Sequence, residues 1–219
     1  MVRLAPSLLE ADYCFLDEQL RIMEKAGADY VHIDVMDGAF VPNLALGMRE
    51  VESIRASSGL IFDVHMMVNE PIRYVERMKA AGADVITVHF EACEDPERTV
   101  NAVKDMGIRA GIALKPDTEL DVLKAPLLER ADVIQLMTVQ PGLEGQSFIP
   151  KSIRRIEMLR GRLEQLGLSR DIEADGNIGM DNVQKVVRAG ATVVVSGKAL
   201  FCGNLEKNIR EMKRLMNQV

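Results

Sequence analysis

"KAGADYVHIDVMD", residues 25–37, contains the close of one helix and most of the strand that follows it. Gly27 stands where a helix C-terminus takes a left-handed residue, which glycine adopts without steric cost. The run Tyr30–Val35 after it is nearly continuous in apolar residues, as a strand covered on both faces requires. The same phrase returns as "AAGADVITVHFEA" at 80–92, "ERADVIQLMTVQP" at 129–141 and "RAGATVVVSGKA" at 188–199. Gly82 and Gly190 repeat the part of Gly27.

Working outward from these four units gives eight strands, near 3–8, 29–35, 60–67, 84–89, 108–114, 132–138, 170–175 and 192–196. Amphipathic helices fill the gaps, from about 14–26 through to 205–218. Leu16, Leu20 and Met23 recur at helical spacing, as do Leu205, Ile209, Met212 and Met216. Pro71 and Pro96 suit first-turn positions, the latter behind a capping Asp95. Strict alternation with right-handed crossovers predicts an α/β fold of the (β/α)8 TIM-barrel type, one domain spanning residues 1–219. An open doubly wound sheet would more usually carry a glycine-rich fingerprint in its first turn, and "SLLEAD" (7–12) is not one.

Composition narrows the function. The apolar share is 47% without tryptophan, so the interior is expected to be aliphatic and methionine-rich. A net charge of −6 gives no basic footprint for nucleic acid. Cys14, Cys93 and Cys202 are odd in number and far apart, which suits neither a disulfide framework nor a zinc ribbon. Pro6 breaks the apolar run of the first residues, unlike a signal peptide, and no stretch approaches the roughly 20 apolar residues of a membrane helix. A reducing, cytoplasmic setting is the expectation.

Polar residues interrupt the strands near their C-terminal ends, where barrels of this kind carry their chemistry. His32 and Asp34 lie late in strand two, His65 in strand three and Asp175 in strand seven; Ser7 stands late in strand one and His89 closes strand four. Residues i and i+2 of a strand share a face, so His32 and Asp34 aim together toward the barrel axis. A buried histidine taken alone is more often a satisfied core residue. Two imidazoles and two carboxylates converging on one axis make a four-ligand site for a divalent cation of the zinc, iron or manganese type, with cobalt a further candidate.

The segments "APSLLEAD" (5–12), "HIDVMDGAFVPNLALG" (32–47), "DVHMMVNEPIRYV" (63–75), "AGADVITVHFEA" (81–92), "MTVQPGLEGQSFIP" (137–150) and "EADGNI" (173–178), in unbroken order, resemble the ribulose-phosphate 3-epimerase family. They are also similar to its close relative, the allulose-6-phosphate 3-epimerases. The resemblance runs from residue 3 to about 203. It implies a metal-dependent epimerase on a barrel of the ribulose-phosphate-binding type, acting on a small sugar phosphate and assembling as a homo-oligomer. The family's ligands fall on His32, Asp34, His65 and Asp175. Asp34 and Asp175 would also be the acid/base pair, with Ser7 and His65 touching substrate and Met36, Met67 and Met137 lining the reaction centre.

The chemistry agrees with that carry-over. Inverting C3 of a 2-ketose removes a proton from one face and delivers one to the other, which calls for two groups. The enediolate between those steps carries charge that a cation neutralises. Methionines keep the pocket dry without competing strongly for an oxygen-liganded cation. His89 suits either an orienting role behind a ligand or a plain buried hydrogen bond.

The phosphate end departs from the family. "PGLEGQ" stands for the usual "PGFGGQ", "DGN" for "DGG" and "SGKALF" for a Gly-Ser pair. Gly142, Gly145, Gly176 and Gly197 remain, and Asn177, Lys198 and Glu144 are new. Backbone N–H groups of such turns cradle phosphate. A carboxylate about 4 Å from that anion would be repelled by roughly 4 kcal/mol at an effective dielectric near 20. Glu144 is therefore expected to point away, to pair with a cation such as Lys198, or to face a substrate with no phosphate there; Lys198 is otherwise expected to grip the phosphate itself. The preferred substrate is a pentulose phosphate, with allulose 6-phosphate as the alternative. A related decarboxylase or lyase would place a lysine between its strand-end carboxylates, where "DVMDG" (34–38) has methionine, and a non-catalytic binder would be expected to have lost an acid or a ligand.

Overall fold

The eight apolar runs become eight parallel strands because each is flanked by a helix long enough to return the chain to the same edge. The structure, a computed structural model, describes residues 2–143 and 145–219. Its strands are β1 (Arg3–Pro6), β2 (Tyr30–Met36), β3 (Ile61–Met67), β4 (Val85–His89), β5 (Arg109–Leu114), β6 (Val133–Met137), β7 (Asp171–Asp175) and β8 (Val193–Ser196). They pair in the order β1-β8-β7-β6-β5-β4-β3-β2. The ring closes between β1 and β2 through a parallel bridge from Ser7 to His32 and a hydrogen bond from Asp29 N–H to the Leu4 carbonyl, 3.1 Å. The principal outer helices are α1 (Leu16–Ala26), α2 (Met48–Arg55), α3 (Val75–Ala80), α4 (Pro96–Asp105), α5 (Ala125–Arg130), α6 (Lys151–Gln165) and α7 (Val183–Arg188), then a single turn α8 (Lys198–Phe201) and α9 (Leu205–Met216).

Every expected strand is present within two residues at each end. The first ends two residues before its expected C-terminus. Ser7 leaves the strand to cap a tight turn over Leu8–Glu10, its hydroxyl accepting from Leu9 N–H. Gly27, with φ 87°, closes α1 as its sequence context requires, and Asp95 caps α4 by accepting from Arg98 N–H. Among the described residues no helix is long and apolar enough to cross a membrane.

Strand alternation divides the protein into two cores. Val31, Ile33 and Val35 of β2 and Phe62, Val64 and Met66 of β3 face outward, in one apolar cluster with Leu20 and Met23 of α1. The inward residues are different in kind. Ala5, Tyr30, Val193 and Val195 form a small apolar layer of their own. At the N-terminal end of the strands, Arg3 and Arg109 both donate to the Tyr30 hydroxyl, at 2.8 and 2.7 Å, and each pairs with a different oxygen of Asp171. This network plugs the end of the barrel remote from the cluster that ends β2 and β3.

The interior is tight enough to demand a glycine. Gly111 of β5 lies beside Thr87 of β4, and a Cβ built there would sit 2.1 Å from the Thr87 hydroxyl oxygen. Neither strand has slack, since both are paired on each side. Gly111→Ala is therefore expected to lower stability by about 1–3 kcal/mol, the usual cost of overpacking. Chemical denaturation measures this directly, and adding Thr87→Ala should return part of the loss.

Candidate active site

Register brings the polar residues together. β2 and β3 pair His32 with Asp63 and Asp34 with His65, while β6 and β7 pair Gln135 with Glu173 and Met137 with Asp175. Each of these side chains sits on an inward position, two residues apart along its strand, so they stack in layers up the axis. β2 and β3 each continue two residues past Asp34 and His65, to Met36 and Met67.

In the upper layer His32 Nε2 lies 3.5 Å from Asp34 Oδ1 and 3.7 Å from Asp175 Oδ2. His65 Nδ1 lies 3.1 Å from the same Asp34 oxygen and 3.5 Å from the same Asp175 oxygen. One donor atom from each of the four residues falls within 4.8 Å of all the others. His32 Nε2 is completely buried and has no hydrogen-bond partner among the described residues. An orphaned imidazole nitrogen facing two carboxylates is costly by itself and well answered by a cation. The donor set of two imidazole nitrogens and two carboxylate oxygens fits a divalent metal ion.

The layer beneath holds this cluster in place. His32 Nδ1 donates to Asp63 Oδ2 at 2.7 Å, which leaves Nε2 for the cluster. Glu173 Oε1 lies 3.6 Å from the same Nδ1. Gln135 donates to Asp175 Oδ2 at 2.9 Å, and Ser7 donates to Asp34 Oδ2 at 2.7 Å. The charges respond to one another. Burial would push the Asp34 carboxyl up, but the His32 imidazole beside it outweighs that and holds the group far below its ordinary range. Burial, then the charges of Asp34 and Asp63, pushes Asp175 up. Burial and the Asp63 charge push Glu173 well up. For His32 burial opposes charge, yet Asp34 and Asp63 raise it well above the usual imidazole value. The surplus of carboxylate thus draws positive charge to one point.

Asp63, Glu173 and Gln135 were not expected from the sequence. A signal for the first two was there: Asp63 precedes His65 by two residues and Glu173 precedes Asp175 by two, the spacing that linked His32 to Asp34. His89 sits behind the cluster, its Nε2 2.9 Å from His65 Nε2 and its Nδ1 3.1 Å from Glu91. Burial lowers His89 to about 4, which keeps the ring neutral. Glu91 is held at about 2, against burial, by hydrogen bonds from His89 and Thr118.

A cavity of about 670 Å³ opens above the cluster. Asp34, Asp175 and Ser7 reach its floor, and Met36, Met67 and Met137 stand around it. Gly142 and Gly145 after β6, Gly176 and Asn177 after β7, and Gly197 and Lys198 after β8 complete the lining. His65, expected to touch substrate as well as metal, is fully buried beside Asp34 and is not among the residues lining the cavity. Asn177 has φ 48°, a left-handed conformation in which asparagine is the most tolerated substitute for glycine. Asparagine at this position thus carries a backbone conformation that a glycine would hold freely. Gly142 is tied to the loop after β2, since a Cβ there would meet Val41 at 2.4 Å. Lys198 is exposed at the mouth. Glu144, and with it the expected pairing to Lys198, lies outside the described residues.

Known proteins share both the sequence and the architecture. Residues 3–201 match the Ribulose-phosphate 3 epimerase family. The ribulose-phosphate 3-epimerase of Bacillus subtilis (strain 168) is 40% identical over 203 residues, covering 92% of this chain and 93% of its own. That of Synechocystis sp. is 43% identical over 199 residues, covering 90% and 86%. Among solved structures, KGPDC from Streptococcus mutans superposes with a TM-score of 0.73 at 14% identity, covering 100% of this chain and 99% of its own, a likeness of fold. A barrel whose inward strand positions converge on two imidazoles and two carboxylates, matched along nearly its whole length, is thus a member of the ribulose-phosphate 3-epimerase family, a family of carbohydrate isomerases.

Proposed function

We propose that the protein interconverts D-ribulose 5-phosphate and D-xylulose 5-phosphate by inverting C3, with His32, Asp34, His65 and Asp175 holding a divalent cation. The observation that carries this reading is the convergence of those four residues beneath a cavity rimmed by glycine-bearing turns. A bound cation there would supply neutralisation of the negative charge that develops on the substrate oxygens next to C3.

The chain's own residues supply the rest. One of Asp34 and Asp175 takes the C3 proton, and the bonding electrons move onto the C2 carbonyl oxygen to give an enediolate. The other carboxyl delivers a proton to the opposite face of C3 as the carbonyl reforms. Ser7, donating to Asp34 Oδ2, and Gln135, donating to Asp175 Oδ2, hold each carboxyl in one orientation during this exchange. The methionines exclude water around the reacting carbon, which strengthens each electrostatic contact. At the rim, the turns at Gly142, Gly145, Gly176, Asn177 and Gly197 offer main chain to the phosphate, and Lys198 adds a point charge. The cavity, with Asn177 and the glycine turns at its rim, has room for a short ketose chain ending in phosphate.

Asp34→Asn and Asp175→Asn should each lower turnover by about 10²–10⁴-fold, the range of a lost acid or base. With both substrates supplied to purified protein, catalytic efficiency should favour the pentulose phosphate over allulose 6-phosphate; a preference for the hexulose would overturn the substrate assignment. Chelation should abolish C3 proton exchange with deuterated solvent, and a divalent cation should restore it. Lys198→Ala should raise the Michaelis constant for the phosphorylated ketose about tenfold, as expected for one lost hydrogen bond to a charged group. An unchanged constant would remove Lys198 from the phosphate site.

A further inference from the structure

We propose that Glu91 fixes the tautomer of His65 through His89, and so decides which His65 nitrogen is available to the metal centre. The proposal rests on the reading of His32, Asp34, His65 and Asp175 as that centre.

The two imidazoles of the cluster present different atoms, His32 its Nε2 and His65 its Nδ1. For His32 the choice is made by Asp63 directly. His65 has no carboxylate at its other nitrogen. It has His89, which is itself ambiguous until something fixes its proton.

Glu91 does so. It follows β4 in the tight turn Phe90–Ala92. Its Oε1 accepts from the backbone N–H of Lys115 at 2.8 Å and from the Thr118 hydroxyl, and its Oε2 faces His89 Nδ1 at 3.1 Å. An ionised carboxylate can only accept, so His89 Nδ1 carries hydrogen. A neutral imidazole has one N–H, which leaves a lone pair on His89 Nε2. His65 Nε2, 2.9 Å away, must then donate. The remaining His65 nitrogen, Nδ1, is a lone pair. Gln135 agrees, since its amide Nε2 faces that same Nδ1 at 3.2 Å as a donor. A lone pair 3.1 Å from the Asp34 carboxylate is repulsive unless positive charge lies between them, which is the condition a bound cation meets. The ring that passes on this polarity is held from another direction: Phe40 packs on His89 with centroids 5.0 Å apart, and the Lys115 ammonium lies 3.9 Å from the Phe40 centroid.

Glu91→Gln reverses the relay without changing its shape. The Lys115 N–H is a fixed donor and claims the amide oxygen, which turns the amide NH2 toward His89 Nδ1. His89 would then carry its proton on Nε2 and His65 on Nδ1, where the metal belongs. Zinc affinity, measured by competition with a chromophoric chelator, should fall about 10–100-fold, the usual effect of removing a partner behind a metal ligand. Nitrogen-15 histidine NMR of the zinc-loaded unsubstituted protein should place the His89 proton on Nδ1 and the His65 proton on Nε2, and needs no variant to fold. Unchanged zinc affinity in a folded Glu91→Gln variant would overturn the relay. So would a spectrum of the unsubstituted protein with the His89 proton on Nε2. A chain that takes up no divalent cation would sink the metal-centre reading and the relay together, and so is told apart from failure of the relay alone.

Discussion

Asp34 stands beside His65 because β2 and β3 pair in a register that aligns their alternation. A slip of one residue would carry His32, Asp34, Asp63 and His65 out among Leu20, Met23 and the other apolar side chains under the helices. The outward faces of these strands therefore protect the inward ones. Val31, Ile33 and Val35 gain burial only in the register that also assembles the cluster. Packing against the helices and chemistry on the axis are consequences of a single alignment.

That alignment confines an unusual amount of charge. Barrels of this type generally fill their axis with branched aliphatic residues. Here Arg3, Arg109, Tyr30 and Asp171 occupy one end, Asp63, Glu173, Gln135 and Thr87 the middle, and the four cluster residues the other. Buried charges are tolerated when each meets an opposite charge or a hydrogen bond. In the lower network two partly exposed guanidiniums share the Asp171 carboxylate and the Tyr30 hydroxyl, so every charge there has a partner. The upper one is rich in carboxylate, as the behaviour of His32 and Asp34 indicates, and its deficit is what a cation would make good.

Much of this was legible in the sequence. The recurring helix–glycine–strand phrase carries the architecture, since turn chemistry and apolar runs are local properties. His32 and Asp34 were legible for the same reason, being two apart on one strand. Asp63 and Glu173 have the same spacing to His65 and Asp175, yet the imidazole both face, His32, lies on another strand, and a single sequence does not contain that alignment. Glu91 was harder still, because its role depends on Lys115 and Thr118 beyond the next strand. Asn177 read as a departure from a glycine, and its φ of 48° is a left-handed conformation that a sequence does not display.

The seam of the barrel joins Arg3–Pro6 to Val193–Ser196, so nearly the whole chain separates the two strands that must meet. Synthesis proceeds from the N-terminus, and β1 waits for its partner β8 until the six intervening strands have been made. Loop closure over such a span is slow relative to the pairing of adjacent strands. Asp175 on β7 is likewise translated long after His65 on β3, four strands later in chain order. A cation that needs all four donors therefore has no complete site until β7 has been made and has packed against β2 and β3.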